Sequence, residues 1–253
     1  MIVLKDVIIG YPDRERLTIP DACFGDGRIT AVIGRNGSGK STLLQTLAGQ
    51  LRYRGSILLD GQECRELTPA ARARKAAYLP QFLRGANMDV QTLVEHGRYP
   101  WHGSLRRLTE QDREKVERAM ERAGVTEYRH RLLSRLSGGE RQRAYLAMVI
   151  AQDTPMILLD EPTTYMDPGT QEAFFRLLQQ LAEEGRGIVA VCHELPQTFS
   201  LCDRICVMDG HTLCACGTPE ELTQQEDLLR GALGVSLKNT GDRELIFPWA
   251  MKR

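Results

Sequence analysis

The sequence predicts a three-layer α/β domain with a helical insertion and a small antiparallel strand region near the N-terminus. Three observations carry this. First, Ile29-Thr30-Ala31-Val32-Ile33 is a short β-branched run followed by Gly34-Arg35-Asn36-Gly37-Ser38-Gly39-Lys40-Ser41 and then by Leu43, Leu44, Leu47 and Leu51 at helical spacing. That order reads as strand, glycine-rich turn, helix. Second, Met156-Ile157-Leu158-Leu159 is a continuous apolar run, the pattern of a parallel strand covered on both faces, and it delivers Asp160 and Glu161 at its C-terminal end. Open α/β sheets keep their ligands at that end of the strands. Third, strand signals stop at Phe82 and resume only at Met156.

In chain order, Ile2 to Ile9, Leu17 to Phe24 and Arg28 to Ile33 are expected strands, joined by polar turns at Pro12-Asp13-Arg14-Glu15 and Gly25-Asp26-Gly27. After the first helix, Ser56 to Leu59 is a further strand turning at Asp60-Gly61. Thr68-Pro69 caps a short basic helix, and Ala76 to Leu79 is a strand ending at Pro80-Gln81. Within the insertion, roughly Phe82 to Leu136, Thr109-x-x-Asp112 is a capping box and Val116, Ala119, Met120 and Ala123 form one helical face ending at Gly124. Leu136-Ser137-Gly138-Gly139-Glu140-Arg141-Gln142 then opens a strongly apolar helix that stops at Asp153-Thr154-Pro155. Asp167-Pro168 starts the next helix, and Gly187 to Cys192 is a buried strand with His193 at its end. Thr218-Pro219-x-Glu221 caps another helix, and the tail from Gly231 to Arg253 is mixed in character.

Composition narrows the function classes. The 253 residues carry 33 Lys+Arg against 33 Asp+Glu, so there is no bulk basic field to draw in nucleic acid. No apolar run approaches the length of a membrane span, and Met1-Ile2-Val3-Leu4-Lys5-Asp6 has no signal-peptide pattern, so a cytosolic chain is expected. Seven cysteines, an odd number, fit reduced thiols better than a disulfide framework. Cys202, Cys206, Cys214 and Cys216 with His211 invite a metal reading. With no C-x-x-C pair, and a hairpin turn expected at Asp209-Gly210 between Cys206 and Cys214, small buried hydrophobes fit them better.

The glycine-rich turn has a specific chemistry. Gly34, Gly37 and Gly39 let the backbone approach a polyphosphate closely, so that successive N–H groups at a helix N-terminus point at its oxygens. Lys40 adds a point charge, and the Ser41 hydroxyl is placed for Mg²⁺. Tyr11, at a strand end ahead of this loop, either covers the core edge or stacks on a base. Glu161 beside Asp160 has the arrangement of a water activator next to a metal ligand. His193 at a neighbouring strand end is either a core histidine or a donor to phosphate.

The ordered set Tyr11, Gly34 to Ser41, Gln81, Leu136 to Gln142, Ile157 to Glu161, Thr164 to Asp167 and His193 resembles the nucleotide-binding subunit of ABC transporters over nearly the whole chain. The resemblance implies a P-loop NTPase fold, ATP and Mg²⁺ as cofactors, and ATP hydrolysis. It further implies that Tyr11 stacks on adenine, that Gly34, Asn36, Gly37, Ser38, Gly39, Lys40, Ser41 and Thr42 hold the phosphates, and that Ser41, Gln81 and Asp160 serve Mg²⁺. Glu161, His193, Gln81 and Lys40 are then the catalytic set. Ser137, Gly138, Gly139 and Asp167 are expected to meet nucleotide, the signature residues doing so on the opposite subunit. That arrangement implies a head-to-tail homodimer with each ATP between two chains.

Gly97-Arg98-Tyr99-Pro100 followed by a histidine, and Ala147 to Pro155, resemble subunits that power uptake of iron-siderophore or similar metal chelates; haem and cobalamin importers share much of this. The implied partners are transmembrane permease subunits and, indirectly, a substrate-binding protein, and the implied location is the cytoplasmic face of the inner membrane. The cluster Phe82, Leu83, Met88, Val90, Tyr99 and Trp101 is either core of the insertion or a groove for a permease helix. Two positions depart from the usual pattern, Met166 in place of leucine and Glu194 in place of aspartate, and neither removes a catalytic group. The expected division is 1–81 and 137–217 for the two parts of the ATP-binding core, 82–136 for the helical subdomain and 218–253 for a C-terminal helix and tail. A soluble ABC ATPase outside transport and an exporter subunit are the rival readings. The single cassette without an extended heptad run argues against the first.

Overall fold

The computed structural model describes residues 1–10, 17–83, 87–102, 107–164 and 166–234, with two short strands beyond them. Tyr11 and the expected turn at Pro12 to Glu15 lie outside the described residues. The chain begins with strands β1 (Ile2–Ile9), β2 (Leu17–Ile19), β3 (Ala22–Phe24) and β4 (Ile29–Gly34), followed by helix α1 (Lys40–Leu47). The strand expected over Leu17 to Phe24 is thus two, broken at Pro20-Asp21, because proline offers no N–H to continue the ladder. Strands β5 (Arg54–Leu59) and β6 (Gln62–Glu63), helix α2 (Pro69–Lys75) and strand β7 (Ala76–Leu79) come next.

Helices α3 (Val90–His96), α4 (Tyr99–His102), α5 (Glu110–Arg122) and α6 (Gly138–Gln152) then run without an intervening named strand to β8 (Met156–Asp160). The predicted box at Thr109 forms, its hydroxyl accepting from Asp112 N, and a second, not predicted, forms at Ser137, whose hydroxyl accepts from Glu140 N; each is reciprocated by the acidic side chain. Helix α6 packs against α3 and α5 as well as against β7, so it joins the insertion to the sheet.

The remainder is α7 (Pro168–Glu183), β9 (Gly187–Val191), α8 (Leu195–Leu201), β10 (Arg204–Asp209), β11 (Thr212–Gly217), α9 (Pro219–Thr223), α10 (Glu226–Leu233), and a two-stranded ribbon of β12 (Lys238–Asn239) and β13 (Leu245–Ile246).

One large sheet runs in the order β6-β5-β1-β2-β11-β10-β4-β9-β8-β7, with β3 paired to β1. From β10 to β7 every neighbouring pair is parallel, while β1 pairs antiparallel with β2, β3 and β5. Alternation along the parallel strands separates two cores. Ile157 and Leu159 of β8 and Ile188 and Ala190 of β9 face one cluster with Phe174, Phe175 and Leu178 of α7. Leu158, Val189 and Val191 face the other, with Leu43, Leu44 and Leu47 of α1. The sheet is therefore buried on both sides, which is why its central strands read as unbroken apolar runs.

Cys206 and Cys216 lie directly opposite on β10 and β11 and form a disulfide, which corrects the expectation that all seven thiols are reduced. The hairpin has a register shift between Val207 and Met208, so sequence spacing alone did not show that these two positions face each other. Cys202 is buried, as expected of a small hydrophobe, whereas Cys214, expected likewise, is exposed.

Candidate nucleotide site at the strand ends

Sheet order assembles the site. The strands β4, β9, β8 and β7 are consecutive neighbours, and at their C-terminal ends stand the glycine-rich loop, His193, Asp160-Glu161 and Gln81 respectively. A cavity of about 640 Å³ opens there, lined by Leu17, Asn36, Gly37, Gly39, Lys40, Ser41, Thr42, Gln81, Glu161, His193 and His211.

The loop conformation follows from its glycines. Gly37 and Gly39 have φ of 83° and 101°, and Gly39 caps α1 from the left-handed region, which turns the first N–H groups of α1 outward. A Cβ on Gly34 would lie 2.3 Å from the Met208 carbonyl oxygen, so only glycine lets β4 and β10 stay paired there. Lys40 is buried and its ammonium donates to the carbonyls of Gly34 at 2.8 Å and Arg35 at 3.1 Å. Burial pulls the Lys40 ammonium below its ordinary range, against the pull of Glu161 and Asp160.

Asp160 is buried at the end of β8 and accepts from the Ser41 hydroxyl at 2.9 Å and from the Tyr78 hydroxyl at 3.4 Å. Burial pushes its carboxyl above the usual carboxylate range. The Ser41 hydrogen bond opposes this, and the neighbouring charge of Glu161 adds to it. Burial and the Asp160 charge push the Tyr78 phenol up in turn.

Glu161 takes a left-handed backbone, φ 50°, which costs a non-glycine residue about 1 kcal/mol and marks a position held by its surroundings. Its carboxylate is gripped at both oxygens: Gln81 Nε2 donates to Oε2 at 2.6 Å, and His193 Nε2 lies 2.7 Å from Oε1. The Thr164 hydroxyl donates to the Glu161 carbonyl at 3.1 Å. A carboxylate held between an amide and an imidazole, one residue from a second carboxylate, can orient or deprotonate water.

Of the predicted site residues, Asn36, Gly37, Gly39, Lys40, Ser41, Thr42, Gln81, Glu161 and His193 line one cavity, with Asp160 directly behind Ser41. Ser38 is buried behind the loop. Ser137, Gly138 and Gly139 are not among the residues lining this cavity, and Ser137 serves α6 as its N-cap. Asp167 likewise N-caps α7, accepting from Thr170 N at 3.0 Å, and borders a different cleft together with Arg143 and Gly124. The two departures are accommodated: Met166 is buried in the core, and Glu194 accepts from the Thr163 hydroxyl at 3.4 Å. Sequence reasoning missed Tyr78, Leu17 and His211 as parts of the site. Tyr78 meets a carboxylate 82 positions away, a pairing that no local pattern signals.

A family model described as ABC transporter matches residues 18–164. The chain belongs to the ABC transporter family. It binds and hydrolyses ATP, as ATPases of this family do. Among the relatives of this ABC ATPase, the petrobactin import ATP-binding protein FpuD of Bacillus anthracis is 43% identical over 85% of this chain and 78% of its own length. The hemin import ATP-binding protein HmuV of Nocardia farcinica is 39% identical over 87% of this chain and 76% of its own. The ferric enterobactin transport ATP-binding protein FepC of Escherichia coli is 37% identical over 85% and 80%. A dimeric structure of a bacterial ABC transporter cassette superposes with a TM-score of 0.76 at 23% identity, covering 87% of this chain and 99% of that one, which supports the fold.

Proposed function

We propose that this ATPase powers uptake of an iron-siderophore or similar metal chelate, docked on a transmembrane permease and working as a pair of identical chains at the cytoplasmic face of the membrane. The observation that carries the catalytic part is the grip of Gln81 and His193 on Glu161 beside the Lys40 loop. The phosphates of ATP belong with the N-terminal N–H groups of α1 and with Lys40, whose burial-lowered ammonium an anion restores. The donor set offered to a cation is Ser41, Asp160 and Gln81, all oxygen, with a single carboxylate that burial has pushed up and a cation would bring down. That fits Mg²⁺, which takes one or two carboxylates plus substrate phosphates. Bound there, Mg²⁺ supplies neutralisation of charge on the transferring phosphoryl group. Glu161 then holds the attacking water, His193 donates to phosphate oxygen, and Gln81 carries the state of the site to its exposed neighbour Phe82.

The pairing of chains is supported by the position of Ser137 at the N-terminus of α6, outside the cavity that holds its own Lys40. A second anion site that one chain cannot bring to its own phosphate is one that a twofold-related copy can. Permease docking is supported by Phe82, the residue after Gln81, which is 77% exposed, whereas Val90 of the same expected cluster is fully buried. Tyr99 and Trp101 of that cluster belong to a different surface, where Trp101 packs against Arg74 and donates to the Gln152 carbonyl. A large exposed apolar side chain adjoining Gln81 suits contact with a partner helix. The chelate class is supported by the names of the relatives, which describe petrobactin, hemin and ferric enterobactin transport. Among the described residues no helix is long and apolar enough to cross a membrane.

The test is affinity capture of tagged Glu161→Gln from detergent-solubilised membranes in ATP and Mg²⁺, with mass spectrometry of what accompanies it. A many-helix permease is expected, and ribosomal or DNA-associated proteins alone would sink the transport reading. Light scattering of the same variant is expected to show an ATP-dependent dimer; a monomer under those conditions refutes the pairing.

A further inference from the structure

His211, like Leu17, is a cavity residue that none of the family motifs accounts for. It occupies the turn between β10 and β11, yet it lines the same cavity as Lys40 and Glu161. Several contacts fix it there. Its carbonyl accepts from Thr18 N at 2.9 Å, and Thr212 pairs with Thr18, so the turn is stitched to β2, whose first residue Leu17 also lines the cavity. On the other side β10 runs parallel to β4, with Met208 opposite Gly34. The Leu17 side chain lies over the start of α1, close enough that a Cβ on Gly39 would come within 2.9 Å of it.

The cavity therefore has two ends. Gln81, Glu161 and His193 form the catalytic one, which must face the terminal phosphate. Leu17 and His211 wall part of the remainder, and neither contributes a backbone N–H of the phosphate loop. A nucleotide laid with its phosphates along Lys40, Ser41 and Thr42 has to extend its nucleoside away from the catalytic end. The backbone at His211 is left-handed, φ 60°, a demand that glycine or asparagine meets equally well, so the turn does not by itself require an imidazole. An imidazole offers a flat face to a base or ribose, which the apolar wall of Leu17 alone lacks.

We propose that His211 is a nucleoside-contacting residue that helps hold the base and ribose of ATP, and that it contributes nothing to recognition of the triphosphate. This rests on the assignment of the cavity to nucleotide. It also places a determinant of nucleotide affinity on the β10–β11 hairpin, far along the chain from the glycine-rich loop.

The experiment is calorimetric titration of the purified chain and of His211→Gly and His211→Asn with Mg²⁺-ATP and, separately, with inorganic tripolyphosphate and Mg²⁺. Both substitutions tolerate the left-handed backbone, and Lys40→Ala serves as the phosphate-site control. A base-side ring contact is worth enough that both His211 variants should bind ATP at least about fivefold more weakly, with tripolyphosphate binding unchanged. Lys40→Ala should weaken both ligands. Equal ATP affinity in the His211 variants and the parent overturns the proposal. So does an equal loss for ATP and tripolyphosphate, because the turn would then act only through the strands that hold the phosphate loop. If Lys40→Ala leaves ATP binding intact, the nucleotide assignment itself fails, and the proposal falls with it.

Discussion

Replacing Arg98 by methionine should destabilise the helical insertion more than any surface change in it. Arg98 and Asp112 are each almost wholly buried, and Arg98 Nε donates to Asp112 Oδ1 at 2.9 Å. The same guanidinium donates to the carbonyls of Ala151 at 2.8 Å and Gln152 at 3.3 Å, so one side chain joins the α3–α4 connection to the first turn of α5 and the last turn of α6. Burial alone would push the Asp112 carboxyl up. Hydrogen bonds from Thr109, Arg98 and His102 overcome it and hold the group well below the usual carboxylate range, so the charge is present at neutral pH. Removing one partner of a buried pair typically costs about 3–5 kcal/mol, because the other charge is left without compensation. Asp112 keeps Thr109 and His102, which puts Arg98→Met near the lower figure, about 3 kcal/mol. For a chain of this size that corresponds to a fall in Tm of about 6–12 °C. Differential scanning calorimetry of Arg98→Met, Asp112→Leu and the double variant is the assay. The double variant should recover part of the loss, since no charge then remains buried. A fall below about 2 °C for Arg98→Met, or strictly additive losses, would refute the argument that the pair's cost lies in the abandoned partner.

Three further outcomes follow from the geometry. His193→Ala should lower kcat of the ATPase by about 10²–10³ with a smaller loss of ATP affinity, because the imidazole grips Glu161 and is only one of several donors offered to phosphate; a variant weakened only in KM would contradict this. Burial works against the Glu63 carboxylate, but donors from Ser56, Tyr53, Arg65 and Ile57 N hold it down to about 2. Its stabilisation is therefore present above the ordinary carboxylate range and lost as pH falls through about 2. Glu63→Gln should lose on the order of 2 kcal/mol at pH 7 and flatten the acid limb of urea-unfolding stability between pH 5 and 2, and an unchanged acid limb would count against that hydrogen-bonded cluster. Gly97→Ala should destabilise by about 1–3 kcal/mol, since the added methyl would lie 2.4 Å from the Met148 carbonyl oxygen; a Tm equal to the parent's would show that α3 and α6 can part at no cost.

Much of this protein was legible in the order of its residues. The strand, glycine-rich loop and helix at 29–47, the unbroken apolar run of β8 and the N-caps at Thr109, Ser137, Asp167 and Thr218 are local features, each specified by residues within a turn or two of one another. The placement of Asp160, Glu161 and His193 at strand ends was legible for the same reason. The tertiary structure decided what depends on which strand lies beside which. The order β4-β9-β8-β7 puts Gln81, Glu161 and His193 within hydrogen-bond reach, although Gln81 and Glu161 are 80 positions apart. It also gave Asp160 a phenol from Tyr78, set Cys206 against Cys216 through a bulged register, buried Val90 while leaving Phe82 in solvent, and brought the turn at His211 to the cavity beside Lys40. Local backbone preference acts over a few residues and leaves its mark in a few residues. Strand pairing acts across the whole chain, and only the closed sheet records it.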